Sequence, residues 1–141
     1  MPSNLIHLPA CLAMLCLAQP AIAQTITAFT NSQTRLQNAP PATTIYELDV
    51  GMRIEDAMSV DLPANPQEAE QILRARMQSV EWRAMEAQLT RSAEGLAKAK
   101  ALGVTKIPAV VVNDRYVVYG VTDVTHALQM IQAREVRHEA D

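Results

Sequence analysis

A short block in the last third of the chain combines a helix stop, a proline and a buried strand. Gly103 is a natural end for the helix-forming residues before it, and Ile107-Pro108 leads directly into the apolar run at 109–112. Because proline has no amide hydrogen for a sheet ladder, it fits the first position of a strand. The block therefore predicts a central strand entered through Pro108.

The same block leaves the geometry of the Ile107-Pro108 bond open. A cis bond would turn the amide and carbonyl of Ile107 outward, toward a groove in which an extended peptide could pair with them. The pattern alone slightly favours an ordinary trans proline at the start of a strand.

The remaining strand signals lie on both sides of this block. Residues 25–30 and 43–48 are short runs rich in β-branched residues, which predict two strands. Residues 31–42 between them are polar and contain two adjacent prolines, which predicts a loop. Residues 116–119 follow a tight turn and predict the antiparallel partner of the strand at 107–112.

Helix signals fill the rest of the chain and give the order β, β, α, α, β, β, α. Residues 52–59 predict a short helix, and Asn65 followed by a proline predicts the capped start of a long one. The apolar stripe of the long segment changes phase near Ser79, which indicates a bend or two helices. The last helix follows a glycine and is capped by Thr122 or Asp123.

The N-terminal segment has the pattern of an export signal. Residues 10–18 form an uncharged apolar run that is too short to span a bilayer, and 21–23 read Ala-Ile-Ala, which suits signal peptidase. Pro9 and Pro20 bracket the run and disfavour a buried helix. We therefore predict a signal peptide over 1–23 and a periplasmic mature protein without stable membrane insertion.

Signal cleavage would remove both cysteines, Cys11 and Cys16, and leave a chain with no thiol in an oxidising compartment. Residues 24–133 are predicted to form one domain, and the charged stretch 134–141 to be a disordered tail. The net charge of -3 gives no electrostatic basis for binding nucleic acid.

The other candidate groups predict no catalytic, metal or cofactor site. His126 and His138 are twelve residues apart and lack a cysteine or carboxylate cluster. Glu47 and Asp49 share a strand face but suit solvated charges, and Ser32 has no base visible in the sequence to activate it. Of the tyrosines in the last strand, Tyr116 and Tyr119 lie on opposite faces, so we expect one in the core and one exposed.

Residues 99–131 resemble the C-terminal half of a thioredoxin fold, which has a helix, a proline-led strand, a hairpin and a final helix. The resemblance implies an α/β fold with a mixed sheet of about four strands, helices on its faces and a cis Pro108. Thioredoxin-like oxidoreductases carry C-x-x-C just after the first strand. Here that region is Thr30-Asn31-Ser32-Gln33, without cysteine, and the first helix is reduced to a loop.

Blocks over most of the chain resemble the DUF1525, or PFL-type, family of small exported proteins carried on bacterial integrating conjugative elements. The blocks are residues 28–30, 46–49, 62–63 with Pro66, 106–111 and 116–124. The resemblance implies a role in a type IV secretion apparatus. The proline-strand-hairpin block is also similar, more weakly, to F-type TrbC pilus-assembly proteins.

Together these features predict a redox-inactive accessory protein, not an enzyme, that binds other secretion or pilus-assembly proteins. The predicted contact residues are Ile107, Pro108, Tyr119, Gly120, Thr122 and Asp123. Two alternatives stay open. One is a glutathione- or thiol-ligand-binding module of the glutathione-transferase or glutaredoxin type, with a ligand carboxylate at the last helix. The other is a periplasmic chaperone without redox activity.

Overall fold

Four short strands form one mixed sheet in the computed structural model, which describes residues 24–139. They are β1 (Ile26–Thr30), β2 (Thr43–Glu47), β3 (Ala109–Val112) and β4 (Tyr116–Tyr119), in the order β2-β1-β3-β4. β1 pairs with β2 in parallel, whereas β3 is antiparallel to both β1 and β4. The prediction of an α/β fold with a four-stranded mixed sheet is confirmed, and this strand order is compatible with a thioredoxin-like fold.

Within residues 24–139, four helices accompany the sheet: α1 (Val50–Ser59), α2 (Pro66–Met77), α3 (Val80–Ala101) and α4 (Val124–Glu139). The predicted phase change at Ser79 is confirmed as a break between two helices. The Ser79 hydroxyl accepts the amide of Trp82 at 3.1 Å and so caps α3. The predicted cap at Asn65 is also confirmed, since its side chain accepts the amide of Gln67 at 2.9 Å.

The last helix is longer than the sequence analysis predicts. Residues 134–141 were expected to be a disordered tail, but α4 continues to Glu139. The segment from Arg134 to Glu139 contains strong helix formers, and adding residues to an existing helix is far easier than starting one.

The two faces of the sheet carry separate apolar clusters. α4 covers one face, where Val124, Ala127 and Ile131 pack on the strands. The other face lies under α3, where Ala99 contacts the cluster around Phe29. β1 lies between both clusters and all five of its residues are buried.

A loop occupies the place where the resemblance expects the first helix. Residues 31–42 contain no helix, as predicted, and Leu36 and Ala39 pack against the cluster under α4. The loop is joined to the start of α4, because the amide of Val124 donates to Gln37 O at 3.0 Å. The hydroxyl of Thr125 likewise donates to the carbonyl of Asn38 at 2.7 Å.

The predicted signal peptide, residues 1–23, lies outside the described residues. Across the part of the chain that the structure describes, no helix is long and apolar enough to cross a membrane.

Candidate functional site

One end of the sheet brings together residues that are far apart in the sequence. The register pairs Thr30 with Glu47, Phe29 with Ala109, and Ala109 with Tyr119. The loop after β1, the segment after β2, the Ile107-Pro108 entry to β3 and the end of β4 therefore meet at this end. This sheet end holds the predicted redox-motif region and four of the six predicted contact residues.

The Ile107-Pro108 bond is cis. The geometry implied by the family resemblance is therefore confirmed, and the preference for trans taken from the pattern alone is wrong. The carbonyl of Pro108 accepts the amide of Gly120 at 2.9 Å, and Gly120 has a φ of 75°, a conformation that glycine adopts at little cost. This bond joins the entry of β3 to the end of β4.

Ile107 presents both apolar surface and free backbone at this end. Its side chain is 38% exposed. Within residues 24–139, neither its amide nor its carbonyl has a hydrogen-bond partner. These groups are available to pair with an extended peptide.

Tyr119 lies next to this loop and is 41% exposed. Tyr116, three residues earlier, packs against the cluster under α4, and the Arg115 guanidinium lies 5.2 Å from the centre of its ring. The prediction that one tyrosine packs inward and the other is exposed is confirmed. The sheet end therefore carries two exposed apolar side chains, those of Ile107 and Tyr119.

Thr122 and Asp123, the other two predicted contact residues, already have partners within the chain. The Asp123 carboxylate accepts the amide of His126 at 2.9 Å and the side-chain amide of Asn38 at 2.7 Å. These bonds, the His126 amide first, lower the pKa of Asp123. The carbonyl of Thr122 accepts the amide of Gln37 at 2.8 Å. Asp123 is the cap of α4, one of the two residues predicted for that position.

The predicted redox-motif region forms a tight polar loop. The Thr30 hydroxyl donates to the carbonyl of Thr34 at 2.7 Å. The Ser32 amide donates to both carboxylate oxygens of Asp49 at 3.1 Å, and its hydroxyl donates to Oδ2 at 2.5 Å. The Arg53 guanidinium lies 3.8 Å from the Asp49 carboxylate and 2.7 Å from the Glu47 carboxylate. The loop after β1 is thus clamped to the segment after β2.

The clamp between Ser32 and Asp49 was not predicted from the sequence, and the register of the sheet explains it. The parallel pairing of Thr30 with Glu47 places residues two positions further along each strand side by side. Those residues are Ser32 and Asp49. The contact becomes predictable only once the register is known, because seventeen residues separate them.

The clamp also affects the protonation of Asp49. The hydroxyl and amide of Ser32, the hydroxyl first, hold the pKa of the Asp49 carboxyl below its usual value, as does the nearby Arg53 guanidinium. A carboxylate with a lowered pKa is a weaker base, so it is poorly suited to take a proton from the Ser32 hydroxyl. Among the described residues, no group of three or more potential metal-ligating side chains could hold an ion.

A family model described as "Protein of unknown function (DUF1525)" matches residues 23–137. The chain belongs to the DUF1525 family. No curated protein matches it, and no solved structure matches it. Within the residues that the structure describes, the match covers every strand and helix of this DUF1525 chain up to the last turn of α4.

The clamp predicts a pH dependence of stability for this DUF1525 protein. Since Asp49 has a lower pKa when folded than when unfolded, its stabilising effect is present above the unfolded pKa and is lost as the pH falls through the folded pKa. Asp49→Asn should therefore flatten the loss of unfolding free energy below about pH 4. Ser32→Ala should cost about 1 kcal/mol at pH 7 through the lost hydroxyl bond. Urea denaturation at several pH values measures both.

Asp56→Asn is the matched control, because Asp56 is an exposed α1 carboxylate without a cationic partner in the described chain. This variant should leave unchanged how the unfolding free energy falls below about pH 4. If that fall were equally steep in Asp49→Asn and in the unmodified protein, the clamp would be contradicted.

Proposed function

We propose that this protein is an exported, redox-inactive thioredoxin-like accessory protein of a conjugative type IV secretion system carried on an integrating conjugative element. It acts by binding other secretion or pilus-assembly proteins in the periplasm during assembly of the pilus or mating channel. The proposed contact is the sheet end formed by Ile107, Pro108, Tyr119 and Gly120, with the turn through Thr122 and Asp123 on its flank.

The observation that carries this proposal is the state of Ile107. Ile107 is exposed and lies beside exposed Tyr119, and its backbone amide and carbonyl have no hydrogen-bond partner among the described residues. An extended segment of a partner could pair with the Ile107 backbone and bury both apolar side chains. Residues 24–141 contain no cysteine, so binding is a better-supported role for this sheet end than thiol chemistry.

The start of α4 argues against the glutathione-type alternative. A ligand carboxylate would need free amides and a positive field at the helix N-terminus. Here Asp123 accepts the His126 amide, and Gln37 accepts the Val124 amide. The Asp123 carboxylate also places negative charge where the ligand's own carboxylate would bind.

The test is DNA transfer from a donor strain whose integrating element carries this gene. Deleting the gene should abolish or strongly reduce transfer, and the unmodified gene should restore it. Ile107→Asp should fail to restore transfer, because a charge at an apolar contact is costly to bury. In the complemented strain the protein should be found in the periplasmic fraction, beginning at Gln24.

Met130→Asp on α4 is the control, since Met130 is 45% exposed and lies outside the proposed contact. It should restore transfer fully while accumulating to the same level as Ile107→Asp. Normal transfer in the deletion strain would contradict the proposed role. Equal complementation by both variants would contradict the proposed contact.

A further inference from the structure

The helices beside the sheet leave much of their apolar surface uncovered. We define the helical lobe as α1, α2 and residues 80–91 of α3. α2 has no buried residue, α1 has only Val50, and the buried residues of α3 all follow residue 91. The apolar side chains that hold the lobe together are half-buried: Ile54, Ile72, Leu73, Trp82, Met85 and Leu89.

Three of the four large apolar residues exposed on this lobe adjoin the end of α1 and the junction between α2 and α3, whereas the fourth, Met52, lies near the start of α1. Val60 follows α1, Met77 ends α2 and Val80 begins α3, and their exposed fractions are 55%, 51% and 76%. Arg76 donates to the carbonyl of Met58 at 2.6 Å and so holds the end of α2 against the end of α1. These three side chains form what we call the apolar tip.

Acidic residues flank the side chains of the apolar tip in the sequence. Four exposed carboxylates have no cationic partner among the described residues: Glu55, Asp56, Asp61 and Glu81. The basic side chains of the same region are Arg74, Arg76 and Arg83, and Arg74 is paired with Glu70, so the charge left there is negative. An apolar surface with this rim is complementary to a segment that has apolar residues on one side and basic residues on the other.

We propose that the apolar tip docks a basic amphipathic segment of a partner protein. The like charge of a second copy, or of an anionic lipid surface, would repel this rim. The lobe also contains Met52, Met58, Met77 and Met85, and methionine side chains adapt readily to varied apolar partners. This surface is separate from the sheet end at Ile107, so the protein would hold two partners, or two parts of one, at the same time.

A titration with a synthetic eighteen-residue amphipathic helix of leucine and lysine tests this proposal. NMR should show saturable shifts confined to the apolar tip and its neighbours, with a change in Trp82 fluorescence. A leucine-glutamate peptide of the same length should not bind, and added salt should weaken the leucine-lysine complex. Met77→Ser should weaken binding about tenfold, the factor expected for losing one buried apolar side chain.

Leu96→Ser is the matched control, because Leu96 is also 51% exposed but lies in α3 beyond the lobe. It should leave binding unchanged. Asp56→Lys provides a second variant that touches no apolar contact and should also weaken binding. Met77→Ser and Asp56→Lys should both keep the far-UV circular dichroism spectrum of the unmodified protein.

The proposal would be overturned if the leucine-glutamate peptide bound as tightly as the leucine-lysine peptide, or if Leu96→Ser weakened binding as much as Met77→Ser. It would also be overturned if the protein bound phosphatidylglycerol vesicles in preference to the peptide, or if it formed a dimer through the apolar tip. Ile107→Asp should bind the peptide normally. A failed titration in a protein whose gene is still required for DNA transfer would therefore overturn the docking surface alone.

Discussion

Phe29→Ala is expected to lower the free energy of unfolding by about 3–5 kcal/mol. The Phe29 side chain is fully buried in the central strand, and its ring stacks on Tyr46 with centroids 5.8 Å apart. Truncation removes this burial and leaves a cavity under α3, which a tightly packed sheet can only partly refill. Chemical denaturation followed by circular dichroism measures the change.

This loss is a large share of the 5–15 kcal/mol that holds a domain of this size together, so the variant should be unstable at 37 °C. Leu96→Ala is the control, because Leu96 is 51% exposed, and it should change stability by no more than about 0.5 kcal/mol. A loss below about 1 kcal/mol for Phe29→Ala would contradict its place in the core. Since Phe29 immediately precedes Thr30, the variant should also disorder the sheet end before the whole domain unfolds.

The sequence predicts the strands and caps well because their signals are local. Proline at position 108 marks the start of β3, and Asn65 before Pro66 marks the start of α2, and both interpretations need only neighbouring residues. The phase change near Ser79 is local as well, since the helix period fixes which residues share a face. These elements were predicted to within two residues of their observed bounds.

The parts that the sequence analysis missed depend on long-range pairing. The clamp between Ser32 and Asp49 exists only because β1 and β2 are parallel and in a particular register. The hydrogen bond from Asn38 to the Asp123 carboxylate was also not predicted, because the two residues lie 85 positions apart in the sequence. The extension of α4 to Glu139 was missed for another reason: charged residues were interpreted as a frayed end although their helix propensities are high.

Gly95→Val is expected to lower the free energy of unfolding by about 3 kcal/mol or more. A Cβ atom at Gly95 would lie 2.7 Å from Tyr46 Cβ and 2.8 Å from its Cγ and Cδ1. These atoms sit at the base of a side chain fixed in β2 and stacked on Phe29, so they cannot swing away. α3 would have to move off the sheet, and the contact between Ser32 and Asp49 at the end of β2 would weaken with it.

Gly51→Ala gives the comparison for the Cβ atom alone, since it adds that atom, without the two further methyl groups of valine, in α1 where there is room. Its Cβ would lie 3.7 Å from Leu89 Cδ1, an ordinary contact. Because alanine is a better helix former than glycine, Gly51→Ala should raise the free energy of unfolding by up to about 1 kcal/mol. If Gly95→Val instead kept the stability of the unmodified protein, α3 could not lie against Tyr46. The sheet end that α3 supports would then have to be built in another way.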